Sequence, residues 1–300
     1  MNSTVRIGRA EFANPVLAAS GTFGFGTQFP KVSAQLGGVV TKGITLKARA
    51  GNPPPRIAEF PGGIINSVGL ENPGVERFLA EVLPGMGRLK TKVIVNIAGF
   101  AVEEYAELAR RLEDERVAAL ELNVSCPNVK EGGTAFGQCA ATVGDITRRV
   151  RAVTHKTIIV KLPANFVDPA ETARAAEAAG ADAVTVINTM FGLALDEQGR
   201  PFLGARTGGV SGPALMPFAL FCVDRVSAAV SIPVIGCGGI MTGRDALDFM
   251  SAGATMVQVG TASLVDPGAS PTIWRELRAS LRGQGIAAAE DIVGRTRRNG

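Results

Sequence analysis

The sequence predicts an α/β chain folded as a (β/α)8 TIM barrel, and three observations carry that expectation. Eight short β-branched apolar runs recur along the chain, amphipathic stretches lie between most of them, and 300 residues hold the series without a long linker. The runs are "PVLAAS" (15–20), "GGVVTKG" (37–43), "KVIVNIA" (92–98), "AALELNVS" (118–125), "TIIVKL" (157–162), "ADAVTVIN" (181–188), "IPVIGCGG" (232–239) and "TMVQVGTA" (255–262). They read as continuous apolar strands, as strands covered on both faces do. A doubly wound open sheet is the competing arrangement, and eight regular repeats favour the barrel. Residues 1–300 are expected to form one domain.

The helical stretches follow in order: "VEEYAELARRLEDE" (102–115), "CAATVGDITRRVRAVT" (139–154), "DPAETARAAEAAG" (168–180) and "GRDALDFMSAGA" (243–254). Several open on a capping Asp or Thr and close on Gly, as helix ends prefer. Two longer segments break the alternation: 47–72, rich in Pro and Gly, and 189–213. Each follows a predicted strand, so both are expected as irregular insertions at the C-terminal face of the strands, where barrels build their sites.

Composition narrows the function. The chain is 46% hydrophobic and 19% charged, enough for a sizeable core, and its net charge of +4 suits an anionic small molecule. Nucleic-acid binders cluster their basic residues, and the one dense run, "GRTRRNG", reads as a solvated tail. No apolar run approaches the roughly 20 residues that span a bilayer, and "MNSTVRIGRAEF" lacks the apolar core of a secretory signal. Cys126, Cys139, Cys222 and Cys237 form no CxxC pair, so a disulfide scaffold, a structural zinc and an iron–sulfur cluster are not expected in this chain. A reducing cytoplasm is the expected setting.

Nearly every predicted strand stops on a polar residue or glycine: Ser20, Lys42, Asn96, Asn123, Lys161, Asn188, Gly238 and Thr261. Together they would ring one mouth of the barrel with donors and acceptors, and polar groups gathered there need a partner. "GCGGI" (236–240) and "VGTA" (259–262) end the last two strands, where glycines let backbone N–H groups approach a phosphate. No GxGxxG follows the first strand, so a Rossmann site is not supported. Lys42 and Lys161 could stabilise negative charge on a substrate or a reduced cofactor ring.

His155, the sole histidine, precedes "KTIIVKL" at the wrong end of the barrel for catalysis. A general base must then be another residue type, and Cys126 is the candidate: a thiol at a strand end, followed by Pro and a glycine-containing loop. Cys222, in an apolar helical stretch, and Cys139 read as small buried hydrophobes.

The segments "NVSCPNVKEGGTAFG" (123–137), "ASGTFGFG" (19–26), "GNPPPR" (51–56), "NSVGL" (66–70), "INTMFG" (187–192), "TGGVSGP" (207–213) and "GCGGI" resemble the class 1B dihydroorotate dehydrogenases, catalytic subunit. The resemblance runs from about residue 5 to 280. It implies an FMN-bearing barrel that oxidises (S)-dihydroorotate to orotate in pyrimidine biosynthesis. Cys126 would take the proton from substrate C5 while hydride leaves C6 for the flavin. Lys42, Asn66, Ser67, Val68, Gly69, Leu70, Asn123, Asn188 and Thr189 would hold the substrate. FMN would lie against Ser20, Lys42, Gly43, Asn96, Asn123, Lys161, Ile187 and Gly212, with its phosphate on Gly238, Gly239, Gly260 and Thr261. The resemblance further implies a homodimer joined by a partner subunit, which carries FAD and a [2Fe–2S] cluster and passes electrons to NAD+. Two other readings stay open on the residues alone: a dihydropyrimidine dehydrogenase-like reductase of uracil or thymine, and a non-catalytic barrel that binds a phosphate ligand.

Overall fold

The computed structural model describes residues 2–124 and 134–298. The chain opens with an antiparallel hairpin, β1 (Val5–Ile7) and β2 (Ala10–Phe12), too short for its alternation to stand out in the sequence. Eight parallel strands then close on one another: β3 (Val16–Ala18), β4 (Gly38–Val40), β7 (Lys92–Ile97), β8 (Val117–Asn123), β9 (Thr157–Leu162), β10 (Ala183–Val186), β13 (Val234–Cys237) and β14 (Ala254–Val259). The strands follow chain order around the barrel, and β14 pairs back onto β3. Each lies inside, or within a residue of, the run that predicts it.

The helices between them form for local reasons. Helix Val102–Arg111 carries Glu103 and Glu104 in its first turn and Arg110 and Arg111 in its last, each complementing the helix dipole. It buries Tyr105, Leu108 and Ala109 at helical spacing. Helix Pro169–Ala178 starts on Asp168, whose side chain accepts from the Ala170 N–H at 3.0 Å. Helix Gly243–Ser251 starts on a capping box between Thr242 and Asp245. Helices Ala140–Arg151, Met216–Ser227 and Ala269–Gly283 complete the outer layer. Among the described residues no helix is long and apolar enough to cross a membrane.

The two segments expected to be irregular are ordered. Strands β5 (Ile57–Phe60) and β6 (Gly63–Asn66) arise in the first, β11 (Met190–Leu193) and β12 (Thr207–Ser211) in the second. They join as one antiparallel sheet in the order β11-β12-β6-β5. Segments far apart in sequence supply this sheet, and Pro and Gly flank its four- and five-residue strands, so no local pattern announced it.

The barrel lumen is layered. Its lower layer takes Leu17, Val40, Ile94, Ala119, Ile159, Ala183, Ile235 and Met256, one apolar residue from each strand. Val5, Ile7, Ala10 and Phe12 of the hairpin pack against that layer and close the bottom. Side chains on one face of a strand recur every second residue. Two residues on from six of those positions stand Asn96, Glu121, Lys161, Thr185, Cys237 and Gln258, all buried. The apolar plug therefore gives way in one step to a polar floor beneath the mouth.

Candidate active site

Above that floor lies a cleft with about 1240 Å3 of empty space, open solvent at its mouth included. The C-terminal ends of the barrel strands line it from below, and Ile57, Ile64, Asn66 and Ser211 of the extra sheet line it from the side.

The structure brings most of the sequence-predicted residues to this cleft. Ser20, Lys42, Gly43, Asn66, Val68, Gly69, Leu70, Asn96, Asn123, Lys161, Ile187, Asn188, Thr189, Gly238, Gly239, Gly260 and Thr261 all line it. Ser67 and Gly212 do not. The Ser67 side chain is buried, and its Oγ accepts from Asn52 Nδ2 at 2.9 Å, so it braces the loop behind the wall. Gly212 packs its carbonyl against Gly239, where it supports the cradle from outside. Cys126, with Ser125, Asn128 and Lys130, lies outside the described residues. His155 is exposed ahead of β9, away from the cleft. Cys222 is buried as expected, whereas Cys139 is exposed at the N-cap of helix Ala140–Arg151. That position ends an irregular turn rather than facing the helix's apolar side, which corrects its reading as a core residue.

The floor is a connected hydrogen-bond network around Glu121, which is fully buried. Its carboxylate accepts from Asn96 Nδ2 at 2.7 Å, from Thr185 Oγ1 at 3.0 Å and from Gln258 Nε2 at 2.5 Å. Lys161 Nζ donates to Gln258 Oε1 at 3.2 Å and stands 4.0 Å from the Glu121 carboxylate. Burial works against the ammonium charge, but Glu121 and then Cys237 face it and raise the Lys161 pKa above its ordinary value. Burial pushes the Cys237 thiol up, with Lys161 opposing and the Glu121 carboxylate adding to the rise.

One atom of the floor is left over. Asn96 Oδ1 is buried and has no hydrogen-bond partner among the described residues. A buried acceptor without a donor costs about 1–3 kcal/mol, so its place facing the cleft marks where a ligand N–H or O–H belongs. Gly43 keeps that acceptor uncovered: a Cβ there would sit 3.1 Å from it.

At the far end, Gly238 and Gly239 both have positive φ, at 131° and 81°. A Cβ would meet Ala219 Cβ at 2.7 Å in the first case and the Met216 backbone N at 2.7 Å in the second. Only glycine fits either place, and the bare backbone is left to face the cleft. Thr261 sits beside them, its hydroxyl donating to Ser211 Oγ at 2.9 Å. On the opposite side Lys42 is half-buried, and its ammonium forms no ion pair among the described residues. Asn66 donates to the Gly209 carbonyl at 3.3 Å, and the Asn188 Oδ1 accepts from Thr189 N–H at 2.8 Å. Tyr105 fixes the strand end beneath Asn123 by donating to its carbonyl at 2.9 Å.

The sequence reading passed over Glu121, Thr185, Gln258 and Cys237 in the floor, and Thr22, Glu71 and Ser211 among the polar residues of the cleft wall. A signal existed: Glu121 and Gln258 are polar residues in the middle of otherwise apolar strands, two positions from an apolar lumen residue.

Fold and site together define a (β/α)8 barrel whose mouth carries a glycine cradle at one end, a cationic polar floor, and at the other end a second cation without an ion-pair partner among the described residues. Comparison with known proteins narrows that class. The family model described as Dihydroorotate dehydrogenase matches residues 3–281. The catalytic subunit of dihydroorotate dehydrogenase B (NAD(+)) from Trichlorobacter lovleyi is 49% identical over 295 residues, covering 97% of each chain. The protein of the same name from Desulforudis audaxviator is 50% identical over 304 residues, covering 100% of this chain and 99% of that one. A crystal structure of DHODH from Eimeria tenella, in complex with ferulenol, superposes with a TM-score of 0.81 at 26% identity, covering 99% of this chain and 89% of that one. The chain belongs to the dihydroorotate dehydrogenase family.

Proposed function

We propose that this protein is the catalytic subunit of an NAD+-linked dihydroorotate dehydrogenase, oxidising (S)-dihydroorotate to orotate with FMN in the barrel mouth. The observation that carries the reading is the cleft itself: one mouth gathers a buried orphan acceptor, a buried cation, a second cation at the rim and a glycine cradle. Names of relatives at 46–50% identity agree with it.

The residues fit FMN. Gly238 and Gly239 form a cradle that a Cβ would fill, and with Gly260 and Thr261 they would hold the phosphate. The ring edge would rest on the floor, where Asn96 Oδ1 awaits a donor and Lys161 keeps a positive charge. When bound, FMN supplies the acceptor for the hydride that leaves substrate C6.

The remaining work falls to the chain. Lys42 offers its ammonium to the substrate carboxylate, and Asn66, Asn123 and Asn188 offer amides to the ring. Val68, Gly69 and Leu70 wall the substrate in, excluding water. Cys126 takes the proton from substrate C5 as a thiolate base. A partner subunit carrying FAD and a [2Fe–2S] cluster completes the enzyme and hands electrons to NAD+, in line with the relatives' designation as catalytic subunits.

An anaerobic titration tests this reading. Dihydroorotate should bleach the flavin absorbance of the holoprotein at one equivalent, and dihydrouracil should not. Bleaching by dihydrouracil alone, or by neither, would refute the assignment.

A further inference from the structure

We propose that Glu121 is a positioning residue that sets the hydrogen-bond polarity of the cleft floor. It does so by forcing the amides of Asn96 and Gln258 to turn their carbonyl oxygens outward. A carboxylate only accepts. Glu121 takes the Nδ2 of Asn96 on one oxygen and the Nε2 of Gln258 on the other. Both amides are therefore locked with N–H groups inward. Asn96 Oδ1 must face the cleft as an acceptor, and Gln258 Oε1 must face Lys161, to which it is hydrogen-bonded at 3.2 Å. Thr185 adds a third donor at 3.0 Å, on the oxygen that also takes Gln258. One buried group thus decides two outward-facing acceptors on strands β7 and β14: turning either amide would set its carbonyl oxygen against the carboxylate, acceptor facing acceptor, and turning Gln258 would also set its NH2 against the Lys161 ammonium.

The consequence for binding rests on the FMN reading above: the floor accepts a ring edge that presents an N–H donor to Asn96. It also makes a specific statement about Glu121→Gln, which is nearly isosteric. The new amide has one accepting end and one donating end. If its NH2 faces Asn96, that residue must flip and present NH2 to the cleft. If it faces Gln258, that residue must flip and present NH2 to the Lys161 ammonium. Either way one of the two acceptors is inverted.

The pair Glu121→Gln and Glu121→Gln with Asn96→Asp tests this. In the double variant the amide and the carboxylate have exchanged places across the same hydrogen bond. The NH2 at position 121 donates to the new carboxylate at position 96, and the carbonyl at position 121 accepts from Gln258 and Thr185. The second carboxylate oxygen at position 96 again faces the cleft as an acceptor. Net charge is unchanged from the unsubstituted protein. Glu121→Gln should weaken FMN binding to the apoprotein about tenfold or more, the consequence of an inverted buried hydrogen bond. It should also lower the apoprotein Tm by about 2 °C or more. The double variant should recover most of both losses. A merely structural carboxylate predicts no such recovery, because a second buried substitution would add to the first.

Unchanged FMN affinity and Tm in Glu121→Gln would overturn the proposal, and so would a double variant no better than the single. If Glu121→Gln fails to fold, a folded, FMN-binding double variant still supports it, and failure of both overturns it. Absence of FMN binding by the unsubstituted protein would instead sink the flavin reading, while the two Tm values would still decide the role of Glu121.

Discussion

Replacing Lys161 by Met removes the cation of the floor while keeping its bulk. Lys161 Nζ lies 4.0 Å from the Glu121 carboxylate, and both side chains are almost wholly buried. Two unit charges at that distance attract by about 4 kcal/mol at an effective dielectric of about 20. Breaking a buried pair by removing one partner costs about 3–5 kcal/mol, because the other charge is left without compensation. Asn96, Thr185 and Gln258 continue to donate to Glu121, which keeps the expected loss near the lower end, about 3 kcal/mol. The sign with pH follows from the raised Lys161 pKa. A cation held above its ordinary value contributes fully below about pH 10 and loses that contribution as pH climbs through the folded value. The deficit should therefore be constant through neutral pH. Urea unfolding of the apoprotein measures it, with Lys42→Met as the comparison. Lys42 shares the cleft but forms no ion pair among the described residues, so its loss should cost within about 0.5 kcal/mol. A Lys161→Met deficit under about 1 kcal/mol, or one equal to that of Lys42→Met, would refute the view of the floor as a tightly coupled ionic network.

Two further predictions follow from the structure. Gly239→Ala places a Cβ 2.7 Å from the Met216 backbone at a φ of 81°, so it should distort the cradle. FMN affinity should fall by about tenfold or more, from a left-handed penalty of about 1–2 kcal/mol plus the clash, as read by fluorescence titration of the apoprotein. Unaltered affinity would mean that the phosphate sits elsewhere. Asp168→Asn should flatten the acid limb of the stability curve. Arg225, bonded at 2.6 and 3.0 Å, and the Ala170 N–H hold the Asp168 carboxyl down at about 2, although its own partial burial opposes them. A depressed carboxylate stabilises above its unfolded pKa of about 4 and loses that contribution as pH falls towards its folded value. The stability difference between the two proteins should therefore be full above about pH 4, shrink as pH falls between those limits and vanish below them.

The barrel was legible because its strands are covered on both faces and announce themselves as apolar runs; β8 and β9 were bounded to within two residues. The mouth was legible because Lys42, Asn96 and Lys161 interrupt those runs where the lumen opens. What escaped the sequence was whatever depends on contacts distant in the chain. The sheet of β5, β6, β11 and β12 pairs segments about 140 residues apart, as in the Gly209–Asn66 register. The hairpin that closes the barrel bottom is defined by what it covers, not by its own three-residue strands. Glu121 and Gln258 read as odd polar residues in apolar strands, and only the period-two step from Ala119 and Met256 aims them at one another. Ser67 and Gly212 stand beside the cleft wall rather than in its lining, Ser67 with its side chain buried in the structure behind, and Cys139 proved exposed at a helix start where its apolar neighbours had suggested a core position.

The central claim is that dihydroorotate is oxidised in this cleft with Cys126 as the base, and anaerobic single-turnover mixing of the FMN-loaded protein with dihydroorotate tests it most directly. Flavin reduction should accompany dihydroorotate oxidation in the unsubstituted protein. Cys126→Ser should slow that reduction by roughly 10²-fold or more at neutral pH, the scale of a lost general base, while still binding orotate. An unslowed Cys126→Ser, or a flavin that dihydroorotate leaves oxidised, would contradict the account.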